Sequence, residues 1–138
     1  MYKCKHFNIK ELVHPDVYSK YGETAWQFFD VGLLKSLDTL REKFGTLTVN
    51  NWQWGGNFKE RGLRSLDYGG VKNRSLHKHG KAIDCHSKTH SADEIRKYIL
   101  DNQEEFPYIT GLELGVSWIH FDTRNREGNN GRIFAFKP

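Results

Sequence analysis

The sequence predicts a single α+β domain in which a mostly antiparallel sheet carries helices packed to one side. Three observations lead there: a long apolar stripe of helical period between Gly22 and Gly45, a shorter helical stretch opened by Ser91, and several strand-like runs concentrated in the second half. At 138 residues the chain can bury one core but not two. No repeat, low-complexity tract or Pro/Ser-rich linker marks a boundary, so 1–138 reads as one domain.

In chain order, Trp26, Phe29, Leu33, Leu37, Leu40 and Phe44 recur at spacings of three and four, which puts them on one helix face. Gly45 ends that helix. Thr46 to Trp52 (TLTVNNW) alternates Leu47 and Val49 with polar neighbours, as a half-buried strand does. The stretch from Gly55 to Gly70 is too polar and glycine-rich for regular structure, and a loop of that length is expected to border a site. Lys81 to Cys85 (KAIDC) is strand-like, with Ala82 and Asp84 on one face and Ile83 and Cys85 on the other. Ser91-Ala92-Asp93-Glu94 has capping-box spacing and predicts a helix over 92–104, with Pro107 beyond its end. Leu112–Val116, Ser117–Thr123 and Arg132–Lys137 read as strands, and 126–131 (REGNNG) as a hairpin turn between the last two.

Composition narrows the class. Hydrophobic residues at 37% and aromatics at 14% make a globular chain whose rings carry much of the burial. No run approaches the roughly 20 apolar residues of a membrane span, and MYKCKHFNIKEL lacks the apolar centre of a secretory signal. The expectation is a protein without membrane insertion or cleavable export. A net charge of +4 favours an anionic partner: nucleic acid, an acidic surface or a carboxylate-rich wall. Nucleic acid is the weakest of these, because the chain has no nucleic-acid motif and its aromatics fall at core-like spacings. Cys4 and Cys85 lie far apart with no CxxC spacing, and both are expected reduced, Cys85 as a small buried apolar residue.

Chemistry concentrates in two short segments, Ser75 to Asp84 and Ser117 to Asp122. A catalytic zinc needs three nitrogen or carboxylate ligands and a fourth position for water. His77, Asp84 and His120 supply such a set: Asp84 and His120 from strands whose faces can meet, His77 from the preceding loop, turned back at Gly80. His79 competes with His77, and spacing alone does not separate them. His6, His14, His86 and His90 have no partner at ligand spacing.

The pattern Ser-x-His-x-x-Gly-x-Ala-x-Asp, filled by Ser75, His77, Gly80, Ala82 and Asp84, precedes a distal Trp-x-His-x-Asp at Trp118, His120 and Asp122. Together they resemble the zinc D-alanyl-D-alanine carboxypeptidase family, closest to its small phage and bacterial members. Phe7 to Leu12 and Leu33 to Phe44 resemble that family's first segment and core helix. The resemblance implies the Hedgehog/DD-peptidase fold, zinc on His77, Asp84 and His120, and a peptidoglycan stem peptide as substrate for a carboxypeptidase or endopeptidase. It selects His77 over His79. It also implies a monomer that reaches the wall from the host cytoplasm through a holin pore, or inside a virion.

Two further roles follow. Zinc lowers the pKa of water it binds towards about 7, and a general base should take the proton and pass it to the leaving amine. Relatives carry a carboxylate three residues before the last His. That position here is Ser117, so Glu113, returned by a turn at Gly115, is the candidate base. Asp122, on the face of His120, is expected to orient its ring. For the oxyanion, the family's arginine before the first His corresponds to Arg64, with Arg61 second. Trp52, Trp54 and Trp118 are candidates to wall the cleft. Because Ser117 departs from the pattern, the alternative is a non-catalytic zinc-binding module of a phage virion.

Overall fold

A computed structural model describes residues 1–70, 73–126 and 132–138. Three α-helices and five strands are present among them: α1 (Pro15–Tyr21), α2 (Val31–Phe44), β1 (Leu47–Thr48), β2 (Ala82–Ser87), α3 (Ala92–Asp101), β3 (Gly111–Glu113), β4 (Ile119–Asp122) and β5 (Phe134–Phe136). No helix among them is long and apolar enough to cross a membrane.

The stripe from Trp26 to Phe44 is not one helix. Residues Gly22–Phe28 form a 3-10 turn, the chain extends at Phe29, and Asp30 restarts it by accepting a hydrogen bond from the Gly32 amide. Apolar periodicity survives the break, since Trp26, Phe29, Leu33, Leu37 and Leu40 are all buried. The sequence reading missed α1, although His14-Pro15 starts it in the usual manner, with proline at the first position and the His14 ring capping the Asp16 amide. Ser91 caps α3 as expected, by accepting from the Glu94 amide. That helix stops at Asp101 rather than 104, and Gln103–Glu105 tighten into a 3-10 turn.

The sheet is mixed, in the order β1-β2-β4-β3-β5. Every pairing is antiparallel except β3 with β5, which is parallel. The expected hairpin between the last two strands does not form. β5 crosses β4 and joins the far edge of β3, with Gly111 opposite Phe134, while the turn assigned to 126–131 lies almost wholly outside the described residues. The first strand is also shorter than read, since the chain leaves the sheet after Thr48 and turns at Trp52–Trp54.

Alternation divides the sheet into two faces. Ile83 and Cys85 on β2, Ile119 and Phe121 on β4 and Leu112 on β3 enter the core with Leu37, Leu40, Ile95 and Ile99 of α2 and α3. Asp84, His86, His120, Asp122 and Glu113 occupy the alternate positions and line the other face. Both cysteines are free and buried, and burial pushes the Cys85 thiol up to about 12, consistent with an inert packing role.

Candidate metal centre

Register builds the site. Asp84 and His120 are Cα partners in the β2–β4 ladder. Leu112 faces Phe121 in the β3–β4 ladder, so one step further brings Glu113 beside His120. Asp84, His120 and Glu113 therefore form a row across three adjacent strands. The chain returns from β3 to β4 through Gly115, whose φ of 77° suits glycine, but it is strand pairing that sets Glu113 in place.

His77 arrives from a 3-10 turn, Leu76–His79, opened by Ser75, whose hydroxyl accepts from the His77 amide. Gly80 closes it with a φ of 67°, packed so closely that a Cβ would lie 2.1 Å from the Phe28 carbonyl oxygen. This geometry buries His77 and leaves His79 exposed, which separates the two candidates that spacing could not.

One ligand atom each from His77, Asp84 and His120 lie within 4.8 Å of one another, so this group could hold a metal ion. His120 Nδ1 is 2.7 Å from Asp84 Oδ1, and His77 Nε2 is 3.3 Å from Asp84 Oδ2. The outer nitrogens face acceptors too: His77 Nδ1 is 3.1 Å from the Gly62 carbonyl, and His120 Nε2 is 3.6 Å from Asp122 Oδ2. A neutral imidazole has one N–H. If each ring gives it to its outer acceptor, both inner nitrogens turn a lone pair on a carboxylate, an arrangement that repels unless a cation lies between. Without a metal, protons must fill that place. The donor set of two imidazole nitrogens and one carboxylate, with outer-shell acceptors already positioned, fits zinc.

Electrostatics in the metal-free protein agree. Burial opposes the charge on Asp84, but hydrogen bonds from His120 and His77 outweigh it and hold the carboxyl well below the usual carboxylate range. Burial likewise opposes protonation of His120, yet Asp122 and Asp84 raise it from 6.5 to about 9. Asp122 is fully buried beneath the ring and accepts from Arg126 Nη2 and the Arg124 amide. Its carboxylate fits because its ladder partner is Gly111, where a Cβ would stand 2.6 Å from both Asp122 oxygens.

The long loop does border the site. Leu63 bridges Val13, its amide donating to the Leu12 carbonyl, and this fixes Gly62 and Arg64 on either side of it. Arg64 Nη2 lies 3.8 Å from Asp84 Oδ2, while Nη1 donates to Ser75 Oγ and Nε to the Glu60 carbonyl. Arg61 points elsewhere, to His86. Glu113 Oε2 is 3.9 Å from His120 Nδ1, with its side chain largely withdrawn from solvent. Ser117 is exposed. Of the tryptophans, Trp52 donates to the Val13 carbonyl and packs on Tyr18, and Trp54 projects into solvent. A cavity of about 480 Å³ touches the cluster only through Arg64, and another of about 320 Å³ is bounded by His86 and Ser117.

Sequence reasoning named the three residues that the fold brings together, a group that could hold a metal ion, but missed the Gly62 carbonyl, which has no side-chain signal, and Gly111, whose role depends on register. Comparison of the chain with protein-family models, curated proteins and solved structures gives no match. The resemblance therefore rests on the motif residues themselves.

Proposed function

We propose that the protein is a zinc-dependent metallopeptidase that hydrolyses stem-peptide bonds of bacterial peptidoglycan, as a carboxypeptidase or endopeptidase with the Hedgehog/DD-peptidase fold. The observation that carries this reading is the convergence of two imidazoles on Asp84, each with its outer nitrogen already held. Bound among His77, Asp84 and His120, zinc would supply Lewis acidity towards a peptide carbonyl and towards water.

The remaining roles belong to the chain. Glu113, one strand across from His120, takes the proton of the attacking water and delivers it to the leaving amine. Arg64 directs its guanidinium at the oxyanion that develops on the scissile carbonyl. Asp122 keeps the His120 ring in the ligating orientation. A net charge of +4 favours approach to an anionic wall. The setting that suits these features is phage lysis or a virion, with the protein acting as a monomer.

The test is release of new amines from purified peptidoglycan by the zinc-loaded chain. Glu113→Gln should keep its zinc and lose activity by about 100-fold or more, the usual contribution of a positioned base. The exposed Ser117, where relatives carry a carboxylate, favours a second reading, a non-catalytic zinc-binding module of a virion. Folded, zinc-loaded wild type that releases no amines would establish that second reading in place of the first.

A further inference from the structure

Lys78 is the one buried lysine among the described residues, and it takes no part in the metal cluster. Its ammonium gives its three N–H groups to three main-chain carbonyls, those of Tyr68, Gly70 and Asn73, at 3.2, 3.0 and 3.1 Å. A buried charge ordinarily takes a charge of opposite sign. Here its partners are carbonyl oxygens of a single loop, gathered around one point. Remove the cation and the three oxygens face one another with no donor between them, so the cage opens to find water.

Tyr68 and Asn73 are also the residues that reach Arg64. The Tyr68 ring lies against the guanidinium, 4.4 Å from Cζ. Asn73 Oδ1 accepts from the Ser75 amide at 2.9 Å, and the Ser75 hydroxyl accepts from Arg64 Nη1 at 3.2 Å. Arg64 Nε donates to the Glu60 carbonyl at 2.7 Å. With one face and two nitrogens held, Nη2 is left turned towards Asp84, 3.8 Å from Oδ2. The same Ser75 hydroxyl accepts from the His77 amide at 3.3 Å. By these short chains the cage is joined to both Arg64 and His77.

We infer that Lys78 is a positioning residue: by closing this cage it holds Tyr68 and Ser75 where they aim Arg64 at the cluster. The placement follows from the contacts of this chain alone, while its consequence for turnover rests on the peptidase reading above. A cation misplaced by about 1 Å loses much of its hold on a developing oxyanion.

Nuclear magnetic resonance tests the placement without turnover or metal. The Arg64 Nε–H signal, assigned as the one lost in Arg64→Lys, reports how firmly the guanidinium is held, through its solvent exchange. In the full chain carrying Lys78→Met that exchange should quicken by about 10-fold, the loss of roughly one hydrogen bond of local protection. Backbone amides of the β2–β4 ladder should keep their protection. Lys78→Ala should behave alike and be rescued by n-propylammonium, which replaces the missing stem and its three donors, but not by 1-propanol. On peptidoglycan Lys78→Met should lose about 10–100-fold in kcat with KM little changed. Unchanged Arg64 exchange in both variants overturns the proposal. So does a loss of protection shared equally by the ladder amides, which would make Lys78 a general stability residue, or rescue by 1-propanol as effective as by the ammonium. Inactivity of wild type on peptidoglycan would sink the peptidase reading alone, because the exchange measurement does not depend on it.

Discussion

Asp38 on α2 and Asp84 on β2 are both carboxylates largely withdrawn from solvent, and they are satisfied by different kinds of partner. Asp38 accepts from the Lys5 and His6 amides and the Tyr2 hydroxyl, at 2.9, 3.3 and 3.0 Å. Those donors always carry hydrogen, and together they tie the N-terminal segment to the main helix. Asp84 instead meets two imidazole nitrogens and, further off, a guanidinium. Imidazole can surrender its proton and offer a lone pair, so the second arrangement can exchange protons for a metal whereas the first cannot. Burial of a carboxylate thus says little about function; the proton inventory of its partners says much more.

Removing His77 or His120 should break that contrast most completely. Wild type is expected to carry about one zinc per chain, and His77→Ala or His120→Ala to fall to background by elemental analysis after dialysis. Stoichiometric metal in both variants would end the ligand assignment. Asp38→Ala should do the reverse: the orphaned donors cost about 2 kcal/mol of stability in urea unfolding, with zinc content untouched. A milder lesion at Asp122→Asn should weaken zinc by about 10–100-fold, the usual cost of an outer-shell partner, read by chelator competition.

The smallest effect is a proton count. His120 in the metal-free protein is raised to about 9, so at pH 7 its ring is charged and must lose a proton to ligate. Zinc titrated calorimetrically in two buffers of different ionisation heat should release about one proton from this site. A buffer-independent enthalpy would contradict this. The same raised value means that the stability His120 lends the metal-free fold is complete below its ordinary value of 6.5. It is lost as pH rises through about 9.

Much of this site could be read before any coordinates, because strand alternation is a local property. Asp84 opposite Ile83, and His120 opposite Phe121, declare their faces within a few residues. His77 against His79 could not be decided that way, since the choice depends on how Gly80 packs beneath the Phe28 carbonyl, a contact between distant segments. The edge of the sheet was misjudged for a related reason. Phe134 to Phe136 look the same from sequence whether they pair with β4 or β3, and only the long-range ladder decides. Arg61 and His86 fall between these cases: His86 shares the face of Asp84 by simple alternation, but nothing local announces the arginine beside it.

The row of Asp84, His120 and Glu113 ties heredity to geometry. Neighbouring strands sit about 4.8 Å apart, so the separation of His120 from Glu113 belongs to the ladder and is out of reach of loop variation. Under the proposed peptidase function, loops at 55–70 and 114–118 would be the segments free to change which peptide enters. A one-residue slip of β4, by contrast, would turn His120 into the core and Phe121 onto the working face. Selection on the fold and selection on the chemistry then act on the same backbone hydrogen bonds, and neither can drift without the other.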